Sequence, residues 1–573
     1  MLDIVICSLN SKYSHSALAP WCLLAGIRSF ARSDVNTSIV EGTVNESADD
    51  VFRRIMQHSP AAVGFCTYIW NIGCVKMLAE RIKNCFPQIK IILGGPEVSY
   101  NADELLSACD HIDFIISGEG EKPIAVLADA LNGGTAIPDG YGICYKSGGK
   151  IICAEPYISC EEPPSPYCDE FFAALGNRIP YIETSRGCPY SCAFCLSGRC
   201  GGIRFFDMER TKKEILTLAA HTSSTIKFVD RTFNANKSRA KEIFRFICEN
   251  YGKAIPEGVC CHFEIAGDIL DDETIGILNN APKGSVQLEI GMQSFNEKTL
   301  AYINRKTDTS KLRSNITRLI APQNIHIHID LIAGLPFEDM ESFKESFNIG
   351  FGLNANMLQM GFLKLLHGAD MREKPERYPC EFSDLPPYEV ISTPWLSKSE
   401  LCLLKNTEDA LDRIHNSGRF KRTEKYILEK SGLAPFDIFF SFGNYAAQKS
   451  AENISLDDYI GLIYEYFGSL NGIDKAYLRD EMVCDRFAVN SFGMLPPALQ
   501  IKEPVLIAKA KKILESDPAT KRQKNIKRSI AILYSRKSPD GSDLAVYADY
   551  NENDKNRHGI SAPEYKLNFF RIK

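Results

Sequence analysis

Tyr181-Ile-Glu-Thr-Ser185 reads as a short strand, and Arg186-Gly-Cys-Pro-Tyr-Ser-Cys-Ala-Phe-Cys195 follows it at once. Gly187, Pro189 and Ser191 mark a turn, on which Cys188, Cys192 and Cys195 stand with C-x3-C-x2-C spacing. Three thiolates on one tight loop can hold three irons of a cubane iron–sulfur cluster and leave the fourth iron open. A structural zinc site takes four protein ligands. Cys200 could supply the fourth, so spacing alone leaves zinc open. The chain has 20 cysteines. In a long chain with no secretory signal they read as thiols, not as a disulfide framework. Cys248, Cys260, Cys261, Cys402 and Cys484 sit in apolar-periodic segments and read as small buried hydrophobes.

Downstream of the cysteines, further strand-like runs alternate with helical patterns. They are 225–230, 259–266, 286–291, 325–334 and 356–366. With 181–185 they make six units at the spacing of an incomplete β/α barrel, whose site belongs at the carboxyl ends of its strands. Glu264, Glu289, Gln293 and Asp330 fall at such ends. His326 and His328 share one strand face and read as core or lining residues.

Upstream, the runs 2–8, 37–42, 61–66, 89–95 and 113–120 alternate with helical segments such as 17–32 and 74–86. That alternation predicts a parallel, doubly wound sheet, with ligands outside its carboxyl ends. The unusual residues cluster there. Asn10, Lys12, Tyr13 and His15 follow the first strand, and Tyr68, Trp70 and Asn71 the third. Gly94, Gly95, Pro96, Glu97 and Ser99 follow the fourth, and Gly118, Glu119, Gly120 and Glu121 the fifth.

The expected organisation is therefore α/β, with a doubly wound domain over 1–140, a linker over 141–177, a partial (β/α)6 barrel over 178–373 and a mixed α+β region over 374–573. In the last region, 398–432 and 453–469 read as helical and 528–535, 543–550 and 565–572 as strands. The basic run 521–528 reads as a solvated surface, with RNA contact a distant second. A net charge of −6 gives no general attraction for nucleic acid or anionic membrane. The N-terminus reads as a buried strand, not a signal peptide, and no run is long enough to span a membrane. A cytoplasmic protein is expected.

The cysteine loop, with its aromatic residue before the last cysteine, resembles that of radical S-adenosylmethionine (SAM) enzymes. So do Asp230-Arg-Thr-Phe-Asn234, Glu289-Ile-Gly-Met-Gln-Ser294, Asp330-Leu-Ile-Ala-Gly-Leu-Pro336 and Phe362-Leu-Lys-Leu-Leu-His-Gly368. The resemblance spans about 178–370. It implies a [4Fe–4S] cluster on Cys188, Cys192 and Cys195 that cleaves SAM to methionine and a 5′-deoxyadenosyl radical. It also implies Phe194 near the adenine, Glu264, Glu289, Gln293 and Asp330 near the ribose or ammonium, and an electron donor such as flavodoxin or ferredoxin. Residues 1–135 resemble the Rossmann-like cobalamin-binding domain that precedes many radical SAM barrels, through the loops 94–99 and 117–121. No Asp-x-His-x-x-Gly is present, so the resemblance implies cobalamin held without a histidine ligand, with Tyr68 and Trp70 candidates to cover its lower face. Core packing is the competing reading for Trp70. The function implied is methylation of an unactivated carbon of an organic substrate. The alternatives are a radical rearrangement or cyclisation, a methylthiotransferase, and a non-catalytic cobalamin or redox sensor.

Overall fold

The computed structural model describes residues 2–450, 454–490, 494–517, 529–549 and 565–572. The basic run 521–528 lies outside them. In the first domain, strands β1 (Leu2–Asn10), β2 (Val35–Thr43), β3 (Ala62–Cys66), β4 (Lys90–Gly94) and β5 (Phe114–Ile116) pair in parallel in the order β2-β1-β3-β4-β5. β1 shows why. Ile4 and Ile6 enter one core with Cys66, Ile92 and Ile116, while Val5, Cys7 and Leu9 enter a second core with Val63, Phe65 and Leu93. A strand buried on both faces reads as a continuous apolar run, as a central parallel strand should.

The expected linker is in part sheet. β6 (Ile143–Ser147) pairs antiparallel with β5, and β7 (Lys150–Ile152) with β6. Gly148-Gly149 is the turn of this hairpin, both residues with positive φ, so the glycine pair that suggested a loose connection closes a tight one. Tyr157 then pins the following strap to the sheet, its N–H donating to Ser117 O and its carbonyl accepting from Glu119 N.

The second domain opens with β8 (Tyr181–Ile182). β9 (Ser185–Arg186) pairs antiparallel with β10 (Arg204–Phe205) and so closes the base of the cysteine loop. β11 (Thr225–Phe228), β12 (Cys260–Ile265), β13 (Val286–Gln293), β14 (His326–Ala333) and β15 (Met357–Phe362) complete a six-stranded parallel sheet in chain order from β8 to β15. Between the strands run helices such as Met208–His221, Lys237–Asn250 and Thr309–Ile320, whose buried faces join one core with the strands.

Beyond the barrel, Leu365 N–H donates to Tyr388 O and Val390 N–H to Leu363 O, so the chain continues along the β15 edge. Helices Lys398–Leu411, Lys421–Lys430, Pro435–Gln448, Leu456–Phe467 and Lys475–Val489 share the barrel's core. A three-stranded antiparallel sheet (Ala531–Lys537, Asp543–Asp549, Lys566–Ile572) ends the described chain. Among the described residues, no helix is long and apolar enough to cross a membrane.

Candidate functional site

In a doubly wound sheet of order 2-1-3-4-5, the crevice opens where the winding reverses, at the carboxyl ends of β1 and β3. A cavity of about 730 Å3 lies there, roofed by the second domain through Tyr181, Glu183, Arg186, Leu196, Ser197 and Arg231. Of the sequence candidates, Asn10, His15, Tyr68, Trp70, Gly94, Gly95, Pro96, Ser99, Gly118, Glu119, Gly120 and Glu121 line it.

The other candidates of this domain do not line it. Tyr13 is 81% exposed and Lys12 also points to solvent. Asn71 is a strut: its side-chain amide donates to Leu9 O and Cys66 O, and its side-chain oxygen accepts from Tyr68 N. Glu97 is buried and bonded to the Tyr388 hydroxyl of the distal region. Two lining residues are also spoken for by the barrel. Glu119 pairs with Arg186 at 3.0 Å and with Arg204, and Glu121 with Arg186 at 2.5 Å. These carboxylates fasten the first sheet to the residue that leads into the cysteine loop.

The sheet under the cavity has a gap in its side-chain carpet at Gly64. A Cβ there would meet nothing nearer than Val5 O at 4.0 Å. Beside it, Ser8 Oγ is buried on the wall without a hydrogen-bond partner. Both fit a large ligand that enters the sheet's surface and brings a polar edge to Ser8. The sequence reading missed both residues, although a glycine inside the strand run Ala61-Ala-Val-Gly-Phe-Cys66 signals close approach of another group. Gly95 serves the fold itself: φ is +124°, and a Cβ would lie 2.3 Å from Thr67 O.

Tyr68 and Trp70 stack with their planes nearly parallel, 4.4 Å between ring centroids, and the Trp70 indole donates to Leu9 O. Trp70 is 47% exposed, so core packing does not describe it, whereas Tyr68 packs against the domain's core; the stacked pair forms an aromatic shelf at the cavity. His15 Nδ1 is 2.5 Å from the Tyr181 hydroxyl. Burial and then the Lys227 charge lower its pKa.

A second, smaller cavity of about 250 Å3 lies at the carboxyl ends of the barrel strands. It gathers the residues expected to hold the cluster and SAM: Cys188, Cys192, Phe194, Cys195, Glu264, Glu289, Gln293 and Asp330. Ala193 N–H donates to Ile303 O and the Asn304 amide to Ser191 O, bracing the cysteine loop from the helix after β13. Cys188 Sγ is 3.3 Å from Thr232 Oγ1, and Ser197 N donates to Cys195 Sγ at 3.4 Å. The Arg305 guanidinium lies 3.8 Å from Cys192 Sγ. Burial raises that thiol's pKa, and Arg305 opposes the rise. Hydrogen bonds and a cation at the sulfurs suit thiolates bound to iron. Among the described residues, no three His, Cys, Asp or Glu groups converge on a single metal ion. A cubane differs in taking one thiolate at each of three separate irons. The side chain of Cys200 lies outside the described residues.

A β-bulge shifts the register of β13 against β14 between Gly291 and Gln293, and Gln293 takes φ +69°. Bulges re-aim a side chain next to a site; this one lies at Gln293, on the cavity wall. Four carboxylates, Glu264, Asp268, Glu289 and Asp330, line the wall, and three of them differ in protonation. Glu289 is 3.0 Å from His262 Nε2 and 3.5 Å from Lys227 Nζ. Burial opposes its ionisation, but these partners bring its pKa down to about 2. Burial, with Glu289 and Glu264 nearby, pushes Asp330 up to about 8, and its Oδ1 has no partner. Burial raises Glu264 as well. The wall thus offers an anion beside a protonated, unpartnered carboxyl, an arrangement suited to a ligand carrying both a cation and hydroxyl groups. His326 and His328 lie deeper, with burial holding their pKa values to about 4 and about 3. Asp230 accepts from Thr184 N, Thr184 Oγ1 and Ser185 Oγ, and Asn234 exchanges two hydrogen bonds with the Ala266 backbone. Both hold strand ends in place.

Ser197 and Arg231 line both cavities. No residue beyond Asp330 lines either one among the described residues. The distal region buttresses the β15 flank instead.

Three family models match successive stretches of the chain. Residues 11–128 match the family described as B12 binding domain, 182–349 the Radical SAM superfamily, and 376–538 a family described as "Protein of unknown function (DUF4080)". An uncharacterized methyltransferase of Pyrococcus horikoshii is 29% identical over 231 residues, covering 38% of this chain and 50% of that protein. The cobalamin-dependent radical SAM methyltransferase TokK of Streptomyces tokunonensis is 28% identical over 360 residues, covering 58% and 51%. The chain thus spans about half the length of these curated relatives. The solved structure of the cobalamin-dependent S-adenosylmethionine radical enzyme OxsB superposes with a TM-score of 0.59 at 14% identity, covering 85% of this chain and 79% of that one, a likeness of fold. With the 2-1-3-4-5 sheet before a six-stranded barrel and three cysteines after the first barrel strand, this chain joins a B12 binding domain to a radical SAM domain.

Proposed function

We propose that the chain is a cobalamin-dependent radical SAM enzyme that methylates an unactivated carbon of a small organic substrate. The observation that carries this reading is the shared wall. Ser197 and Arg231 touch both cavities, so a ligand in one faces a ligand in the other across two side chains. When bound, a [4Fe–4S] cluster supplies the electron that cleaves SAM, and cobalamin supplies the methyl group.

The chain's own residues hold and orient. Cys188, Cys192 and Cys195 would ligate the cluster, with Arg305 offsetting their charge. Glu289 would face the SAM ammonium, and protonated Asp330 could donate to a ribose oxygen, with Gln293 and Glu264 completing the wall and Phe194 beside the adenine. Gly64 and Ser8 would admit the corrinoid, with Tyr68 and Trp70 against its face and no histidine below it. Reacting atoms must be held about 3–3.5 Å apart, which places the substrate at the junction of the cavities, where the two domains exclude water.

One substrate C–H and two SAM give one C–CH3, 5′-deoxyadenosine (which takes the hydrogen), methionine and S-adenosylhomocysteine. Two electrons come from a cytoplasmic donor protein of flavodoxin or ferredoxin type. The test is anaerobic reconstitution with cobalamin, a reductant, a cell extract and SAM carrying a trideuterated methyl group. A product with the labelled methyl, formed with both 5′-deoxyadenosine and S-adenosylhomocysteine, is expected. Product formed with 5′-deoxyadenosine alone and no label would replace methylation by rearrangement or cyclisation.

A further inference from the structure

Four arginines line the two cavities: Arg186, Arg199, Arg231 and Arg305. Three are committed to the protein. Arg186 is clasped by Glu119, Glu121 and Glu183. Arg199 pairs with Asp370 at 3.1 Å and with Glu373. Arg305 donates to Gly291 O and approaches Cys192 Sγ. Arg231 differs. It is exposed in the loop after β11, and its backbone carbonyl takes the Thr232 hydroxyl. Its guanidinium has no ion pair or hydrogen bond among the described residues, and it alone of the four borders both cavities.

No carboxylate that lines either cavity is paired with it among the described residues. Glu183 is bonded to Arg186, and Glu289 is held by His262 and Lys227. Glu264 is pushed toward its neutral form by burial, against the pull of Arg231. A planar guanidinium presents paired N–H donors that match a carboxylate or phosphate edge. In a part-enclosed cavity such a fork is strongly attracted to an anion.

Resting on the function proposed above, we infer that Arg231 binds an oxyanion of the substrate, which is therefore a small organic acid seated at the junction of the cavities. The SAM carboxylate is the competing anion, and Lys306 is available to it. Lys306 borders the smaller cavity alone and makes no ion pair among the described residues.

The test uses the reconstituted chain, labelled SAM and the small-molecule fraction of an anaerobic extract split on an anion-exchange resin at neutral pH. Labelled product should arise from the retained fraction and not from the flow-through. Capping carboxyls with a carbodiimide and a neutral amine should abolish it if the oxyanion is a carboxylate, and phosphatase treatment if it is a phosphate monoester. Arg231→Gln should raise the amount of retained fraction needed for half-maximal product about 10- to 100-fold, the scale of a charged hydrogen-bonded contact. Arg231→Lys should recover part of that loss, which a misfolded variant would not. Labelled product from the flow-through would overturn the inference, as would a variant whose half-saturation shifts for SAM and not for the retained fraction. If the wild type forms neither 5′-deoxyadenosine nor S-adenosylhomocysteine with any fraction, the proposed function falls, and this inference with it.

Discussion

Around the smaller cavity, side-chain chemistry defines the site: three thiols on one loop, and the carboxyls of Glu264, Glu289 and Asp330, whose protonation differs with their neighbours. Around the larger one, backbone shape does most of the work, through the winding reversal at β1 and β3, the missing side chain at Gly64 and an aromatic shelf. Function therefore rests on few atoms in the first region and on surface form in the second. Substitutions in the two regions should fail differently.

The largest expected effect is at the cysteines. Cys188→Ala, Cys192→Ala or Cys195→Ala should remove the iron–sulfur absorbance and lower 5′-deoxyadenosine formation at least ~10³-fold, since electrostatic and cofactor chemistry has no substitute there. Cys200→Ala should leave most of both. Iron analysis and product chromatography check this, and an equal loss for Cys200 would turn the loop into a four-ligand site.

Next comes the fastening between the regions. Arg186→Gln leaves Glu119, Glu121 and Glu183 around a vanished cation, and removing one partner of a buried ion pair costs about 3–5 kcal/mol. Denaturant titration should show that loss. Glu121 has a pKa held below the usual carboxylate value, with burial opposing and Arg186 prevailing. Its contribution is therefore present above the unfolded-state pKa and is lost as pH falls through the folded one. The deficit of the variant should accordingly narrow in acid.

In the larger cavity, Gly64→Val should reduce retained cobalamin at least ~10-fold with iron content unchanged, because a branched side chain fills an open floor. Gly95→Ala should instead destabilise the fold, its Cβ meeting Thr67 O at 2.3 Å. Ultraviolet–visible spectra and thermal melts separate the two. If both glycines merely destabilised, the open floor would have no ligand role.

A smaller effect concerns Asp330. Its folded pKa is raised to about 8, so between its unfolded value and pH 8 the folded state binds the extra proton, and stability falls as pH rises through that window. Asp330→Asn should flatten the fall in apoprotein melting temperature from pH 5 to 8. An unchanged slope would show that the carboxyl ionises normally. The smallest effect should be at His15. Its Nδ1 is engaged with Tyr181, so His15→Ala should leave the electron paramagnetic resonance spectrum of cob(II)alamin unchanged and free of nitrogen splitting from a histidine.

The same contrast explains what could be read in advance. C-x3-C-x2-C and the polar residues at barrel strand ends identify themselves, because ligands and charged groups need particular residue types at particular strand positions. Glu119 and Glu121 were legible as strand-end residues but not as partners of Arg186, since an ion pair across 65 residues or more leaves no local pattern. Asn71 and Glu97 are polar residues at the right end of the right sheet, yet their side chains face inward to backbone and to Tyr388. The 143–152 hairpin escaped because Gly148-Gly149 serves a tight turn as well as a loose linker. Ser8 and Gly64 matter for what they leave open, and an opening is visible only once the strands stand side by side.

That the two cavities form one site is tested most directly by spin coupling. Protein loaded with cob(II)alamin and a reduced [4Fe–4S] cluster should show cob(II)alamin resonances broadened relative to Cys192→Ala loaded with cob(II)alamin alone. Superposable cobalt spectra from the two samples would mean that the cofactors lie too far apart to act on one carbon, and would contradict it.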